Sequence, residues 1–86
     1  MAESRAELES MLKEINDLFG EIRHFWIKLH EKRARVHRQF QLGNISELRR
    51  ELELHKIDCV QQKLDEARAK LRKYHGKTVE MLSRLT

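Results

Sequence analysis

The side chains with the clearest metal-binding chemistry are His55 and Cys59, which are four residues apart. On a helix this spacing places an imidazole and a thiol on one face, where both could bind the same metal ion. If the chain folds back on itself, His30 comes near Ile57 and could add a third ligand. No other His or Cys pair has ligand spacing, so the sequence predicts no metal site and no cofactor. The expected arrangement is instead a partly exposed His55 beside a buried thiol.

Nucleophilic catalysis has no better support in the sequence. Neither Cys59 nor any of the four Ser residues lies in a recognised catalytic motif. A solvated helical surface also provides no pocket from which water is excluded. The sequence therefore predicts a non-enzymatic protein, with no catalytic residues and no small-molecule substrate.

A basic segment spans residues 22–40, with six Lys or Arg and one acidic residue. Its charge of +5 contrasts with −4 for residues 1–21 and +3 for residues 41–86, which together give the net charge of +4. Helices that bind nucleic acid concentrate cations on the face that meets phosphate. Here the cations surround the helix, so nucleic-acid binding is the less favoured alternative. Its candidate residues are Arg23, Lys28, Lys32, Arg33, Arg35 and Arg38.

The elements that must position these residues are long helices. The chain is 40% apolar and 37% charged, with three Gly and no Pro, a composition typical of helical proteins. Ser4 followed by Glu7 forms a capping box, which predicts a first helix over about residues 5–42. Its apolar residues recur every seven positions and form a coiled-coil seam. The seam consists of Leu8, Ile15, Ile22, Leu29 and Val36, with Met11, Leu18 and Phe25 on a companion line.

A turn at residues 43–44 separates this helix from a second one over about residues 45–86. Gly43 suits a left-handed backbone after a helix, and Asn44 with Glu47 forms a second capping box. Gly76 allows either an uninterrupted helix or a break at 75–77, after which a short third helix would cover 77–85. The apolar lines of the second helix are Ile57, Leu64, Leu71, Thr78 and Leu85, and Val60, Ala67, Tyr74 and Met81.

A short turn between two helices of similar length predicts an antiparallel hairpin, and so a single all-α domain over residues 1–86. Paired residue numbers should then sum to about 87. This rule places Phe19 opposite Ala67 and Trp26 opposite Val60. It also brings the acidic start of the first helix beside the basic end of the second, and the basic segment beside acidic residues 47–58.

A third apolar line on the first helix predicts a partner. It runs beside the seam and widens the apolar face beyond what one helix can cover. We therefore expect the hairpin to complete a three- or four-helix bundle with another protein or as a homodimer. The candidate partner-binding residues are Leu12, Phe19, Trp26, Arg33 and Phe40.

The leading hypothesis is a non-enzymatic protein–protein interaction module, acting as an adaptor, binder or assembly subunit through this stripe. A small basic nucleic-acid-binding protein is the alternative. A third is an engineered protein binder on a helical scaffold, which the regular caps and absence of Pro would suit. The start MAESRAELES has no signal-peptide features, and no apolar run reaches membrane-spanning length. The sequence thus predicts an intracellular, cytoplasmic protein that does not bind membranes.

Overall fold

The computed structural model describes residues 4–85, which form two long helices joined by a short loop. Helix α1 is Arg5–Gln41, with 37 residues, and helix α2 is Glu47–Arg84, with 38. They pack side by side into a rod about 61 Å long and 15 Å across. The predicted all-α hairpin is confirmed. Over the residues described, neither helix carries an apolar stretch of the length that a membrane crossing requires.

Helix α1 begins and ends as its sequence predicts. The Ser4 hydroxyl accepts a hydrogen bond from the backbone N–H of Glu7 at 3.1 Å, which satisfies a donor that the helix itself leaves unpaired. At the other end Leu42 is the C-cap, and Gly43 follows with a φ of 76°. A side chain at this φ would be strained, whereas glycine adopts it freely.

The start of α2 differs from the prediction. Ser46, not Asn44, is the N-cap, and its hydroxyl accepts from the backbone N–H of Arg49 at 3.1 Å. The Asn44 side chain instead donates to Gln39 Oε1 at 2.7 Å and ties the loop back to α1. Because Asn44 is engaged there, the loop extends over residues 42–46 and α2 begins two residues later than predicted.

Helix α2 continues through Gly76 without interruption. The break at 75–77 and the short helix over 77–85 are absent. A Cβ built on Gly76 would meet nothing within 4 Å, so the residue lies on an open surface. A glycine inside a helix costs about 1 kcal/mol relative to alanine, which is too little to end a helix whose neighbouring residues Leu71 and Thr78 pack against α1.

The core of the hairpin is thin because each helix has one neighbour. Buried side chains come from the two predicted seam lines, and they are Leu8, Ile15, Val36, Ile57 and Thr78. Ile22 and Leu29, also on the α1 seam, are half-buried. Eleven large apolar side chains within residues 4–85 are exposed. A rod of two helices thus leaves much of its apolar surface in contact with water.

The pairing between the helices is displaced from the predicted register. Arg33 should lie opposite residue 54, but it bonds to Asp58, one helical turn further along α2. Likewise Phe19 meets His75 rather than Ala67. Side chains lean toward the N-terminus of their own helix, which in an antiparallel pair moves the two tips in opposite directions. The residue numbers of two contacting side chains therefore add up to more than the sum predicted from the backbone alone.

Candidate functional site

The line predicted to bind a partner packs against α2 instead. All five of its residues, Leu12, Phe19, Trp26, Arg33 and Phe40, are half-buried. The Phe19 ring lies 6.1 Å from the His75 ring, edge to face, and the Arg50 guanidinium lies 3.9 Å from the centre of the Phe40 ring. The hairpin thus covers part of this line, and its role in partner binding stays a prediction.

Trp26 and Arg33 show how this line is covered. The indole lies 5.6 Å from the His30 ring, and its Nε1 is buried without a hydrogen-bond partner. Arg33 forms an ion pair with Asp58 Oδ1 at 3.1 Å and donates a hydrogen bond to Gln61 Oε1 at 2.8 Å. Among the ion pairs found within residues 4–85, this is the one that joins the two helices. Arg33 thus links α1 to α2 through its side chain.

Part of the exposed apolar surface comes from the companion line of each seam. On α1, Leu18 is 43% exposed and Phe25 53% exposed. On α2, Tyr74 is 53% exposed and Met81 38% exposed. The sequence had assigned these residues to the contact between the helices. Together they border a depression on one side of the rod, here called the apolar groove, whose walls are Met11, Leu18, Phe25, Ala67, Tyr74 and Met81.

Two adjoining cavities make up the apolar groove. One, of about 460 Å³, lies between Leu18 and Tyr74 and has Leu8, Ile15 and Thr78 among its lining residues. The other, of about 360 Å³, lies beside Phe25. Both are lined by Leu18 and Leu71, so the groove is continuous along the half of the rod away from the loop.

The edges of the apolar groove carry opposite charges. Glu14 and Glu21 line it on the α1 edge, and Lys77 and Lys70 line it on the α2 edge. All four side chains are exposed. None of them makes a hydrogen bond or an ion pair with another residue of the described range 4–85. The groove thus has one acidic and one basic edge, both available to a partner.

Toward the loop, the same side of the rod becomes polar. The cavity there, of about 280 Å³, is lined by Lys32 and Glu53 among other residues. Glu53 accepts from Lys56 Nζ at 3.3 Å and pairs with Arg49 at 3.1 Å. The hydrogen bond from Lys56 lowers the pKa of the Glu53 carboxyl, and the charges of Lys56, Arg49 and Lys32 add to this against desolvation. On α1 the exposed apolar line therefore ends at Phe25, whereas on α2 it extends to Val60, which is 45% exposed.

The opposite side of the rod carries a second depression, here called the arginine cleft. It has a volume of about 510 Å³, and Arg23, Arg68 and Arg72 line it together with Phe19 and Trp26. The three guanidinium groups pair with no carboxylate among residues 4–85. Sequence reasoning missed Arg68 and Arg72 because it considered only the cations of α1. Their i, i+4 spacing on α2 was the available signal.

The predicted nucleic-acid-binding residues are divided between different sides of the rod. Arg23 lines the arginine cleft, whereas Arg33 is held by Asp58. The remaining four are exposed; the first three share one face of α1 through their i, i+4 and i+7 spacing, and Lys32 and Arg35 line one cavity near the loop. They are Lys28, Lys32, Arg35 and Arg38.

His55 and Cys59 share a face of α2, as predicted, with Sγ 3.6 Å from Nε2. The thiol is exposed, so the expectation of a buried thiol is wrong. Across residues 4–85, no three His, Cys, Asp or Glu side chains are grouped as a metal ion would require. His30 lies against Trp26 rather than near the pair.

Comparison of the chain with protein-family models, curated proteins and solved structures found no match. A function is therefore inferred from the apolar groove, its charged edges and the arginine cleft.

Proposed function

We propose that this chain is a non-enzymatic protein–protein interaction module that binds its partner in the apolar groove. The observation that supports this most strongly is the exposure of Leu18, Phe25 and Tyr74 side by side along one groove. Contiguous exposed apolar surface bounded by charged residues is typical of interaction sites. The module would act as an adaptor, binder or assembly subunit.

The shape of the groove favours a helical partner. It lies between two antiparallel helices and follows them, so a further helix can pack its side chains into the space between Leu18 and Tyr74. Burying one large apolar side chain contributes about 1.5–3 kcal/mol before entropy is subtracted. The α1 aromatic residues Phe19 and Phe40, in contrast, already contact α2 and have less surface to offer.

The proposal is tested by removing apolar surface inside and outside the groove. The groove variant combines Leu18→Ser, Phe25→Ser and Tyr74→Ser. The matched control combines Ile27→Ser, Leu48→Ser and Leu52→Ser, which are also exposed but do not line the groove. Circular dichroism checks that both variants keep their helices.

The readout has two arms, because the partner is either another protein or the chain itself. Capture from cell extract identifies other proteins, and light scattering on the purified chain measures its own mass. We expect the groove variant to lose association in at least one arm and the control to retain it. Equal association of wild type and groove variant in both arms, or none for either, would contradict the proposal.

The arginine cleft supports a second candidate function, nucleic-acid binding. Arg23, Arg68 and Arg72 form a cluster of cations that no carboxylate of residues 4–85 neutralises. Phosphate groups bind such clusters, with an affinity that falls steeply as salt rises. It ranks second because stacking of bases needs exposed rings, and Trp26 is half-buried with its Nε1 enclosed.

The second candidate is tested with single- and double-stranded oligonucleotides at low and moderate salt. If it holds, the double variant Arg68→Gln, Arg72→Gln weakens binding and flattens its salt dependence, because fewer counterions are released. The control is Lys63→Gln, Lys73→Gln, which removes two cations of α2 that do not line the cleft. Absence of binding by the wild type at low salt would exclude this function.

A further inference from the structure

We propose that the occupant of the apolar groove is a second copy of this chain, docked face to face with both loops at the same end. Glu14 and Glu21 of each copy then pair with Lys77 and Lys70 of the other. The inference rests on the proposed function of the groove, and it adds the identity and the orientation of the partner.

The first argument is the distribution of apolar residues on the two walls. Phe25 and Leu18 project from α1, and Tyr74 and Met81 project from α2, all between 38% and 53% exposed. A two-fold dimer uses the same surface of both copies, so that surface must contain both members of every contact. With large apolar side chains on both walls, the groove meets this condition. The product is a four-helix bundle.

The second argument is the charge of the two edges, which distinguishes two orientations. If the two-fold axis runs along the rod, α1 of each copy lies against α2 of the other, and both loops are at one end. If the axis runs across the rod, α1 lies against α1 and α2 against α2. The second orientation places Glu14 and Glu21 near the same acidic edge of the other copy, and Lys70 and Lys77 near the same basic edge. Like charges at close range oppose that orientation.

The third argument is the position of the charged residues along the rod axis, here called their level. Glu14 and Lys77 line the same cavity, and Glu21 and Lys70 line the next one. A two-fold rotation about the rod axis leaves the level of each residue unchanged. Glu14 of one copy therefore comes level with Lys77 of the second copy, and Glu21 with Lys70. Four interchain ion pairs form without any shift of register.

The polar end of the groove side fits the same orientation. Lys32 and Glu53 line one cavity near the loop and are therefore at one level. With both loops at one end, Lys32 of each copy approaches Glu53 of the other. With the loops at opposite ends, this charged region would extend beyond the apolar contact and meet no counterpart.

The charge argument is tested by reversal. The variant Glu14→Lys, Glu21→Lys and the variant Lys70→Glu, Lys77→Glu should each dimerise at least tenfold more weakly than wild type in sedimentation equilibrium. An equimolar mixture of the two should recover the dimer, because every interchain pair is then again opposite in charge. The control Asp17→Lys, Glu66→Lys makes the same change in net charge as the first variant at exposed positions outside the groove, and should dimerise like wild type.

The orientation is tested by a distance. A spin label at Gln41→Cys, in a Cys59→Ser background, reports where the loop ends lie, and Gln41 is exposed. With the loops at one end, the labels should be within roughly 30 Å, since neighbouring helices lie about 8–10 Å apart. With the loops at opposite ends they should be roughly 70 Å apart, given the 1.5 Å rise per residue from the groove to the loop.

A dimer with the short distance and with recovery in the mixture supports the inference. A dimer with the long distance, or one that is unaffected by either reversal, overturns it. A wild-type chain that stays monomeric but captures another protein through the groove overturns the inference and leaves the proposed function standing. A monomer whose groove variant behaves like wild type in every assay overturns both.

Discussion

The two sides of the hairpin both carry aromatic and apolar residues, but they are covered differently. On the side of the arginine cleft, Arg50 lies over Phe40 and His75 meets Phe19. On the groove side, Phe25 and Tyr74 are each 53% exposed, and the charged residues stand at the edges rather than over the rings. The number of rings on a side is thus a poor guide to how much apolar surface that side leaves exposed.

What decides the difference is the residue that the other helix supplies. Arginine and histidine have long or flat side chains that can lie across a neighbouring ring and keep their polar atoms in water. Ala67 is too small to cover Phe25, and Glu21 and Lys70 extend into solvent at the edges. The helix pair therefore covers one side with its own side chains and leaves apolar rings on the other side exposed to solvent.

The sharpest test of this comparison uses two consecutive residues that lie on opposite sides. Trp26→Ala should lower the free energy of unfolding by about 2–3 kcal/mol, because it removes a half-buried ring whose Nε1 is enclosed. Phe25→Ala should change the unfolding of the dilute monomer by less than about 1 kcal/mol, because this ring is mostly in water. Chemical denaturation at low protein concentration measures both.

The same two variants should exchange their ranking when association is measured. Phe25→Ala should weaken the self-association of the chain more than Trp26→Ala does, since Phe25 lines the apolar groove. Sedimentation over a range of concentrations provides this measurement. Equal effects of the two substitutions on both properties would show that the two sides do not differ.

Arg33 provides a test of the closed side. Arg33→Gln removes the bonds to Asp58 and Gln61 and should cost about 1 kcal/mol of stability, reduced at high salt because Asp58 is 63% exposed. Arg35→Gln is the matched control, an exposed cation without a partner among residues 4–85, and should leave stability within about 0.5 kcal/mol. Thermal unfolding at low and high salt separates the two.

Two glycine substitutions test backbone conformation outside both sides of the hairpin. Gly76→Ala should raise stability by about 0.5–1 kcal/mol, because the helix is continuous there and a Cβ meets nothing within 4 Å. Gly43→Ala should instead lower stability by about 1 kcal/mol, because its φ of 76° strains any residue with a Cβ. A destabilised Gly76→Ala variant would contradict the continuous helix.

The smallest effect is expected at Glu53, at the polar end of the groove side. Its pKa is lowered by the hydrogen bond from Lys56 and by nearby cations, so the ionised carboxylate favours the folded state. This contribution is present above the ordinary carboxyl pKa of 4.5 and is lost as the pH falls below it. Wild type should therefore be more stable than Glu53→Gln at pH 7, and the difference should shrink as the pH falls below 4.5 and through the lowered pKa of Glu53. A difference that persists in acid would contradict this account.

Much of the fold follows from the sequence alone. The hydroxyl of Ser4 and the backbone freedom of Gly43 act within a few residues, so their roles could be predicted before any contact was known. The seven-residue repeat likewise identified Leu8, Ile15 and Ile57 as core residues, because each lies at the centre of its apolar face. Local geometry and periodicity determine such features.

The tertiary structure alone decided which line beside each seam is exposed. The repeat places Phe25 and Trp26 on opposite flanks of the same seam, and either flank could have faced α2. Small rotations of each helix about its own axis made that choice, and they depend on the loop, where Ser46 rather than Asn44 caps α2, and on the lean of the side chains. The sequence could not show that Leu18 and Phe25 would be left more exposed than Phe19 and Trp26, because a helical period defines faces but not which face another helix will cover.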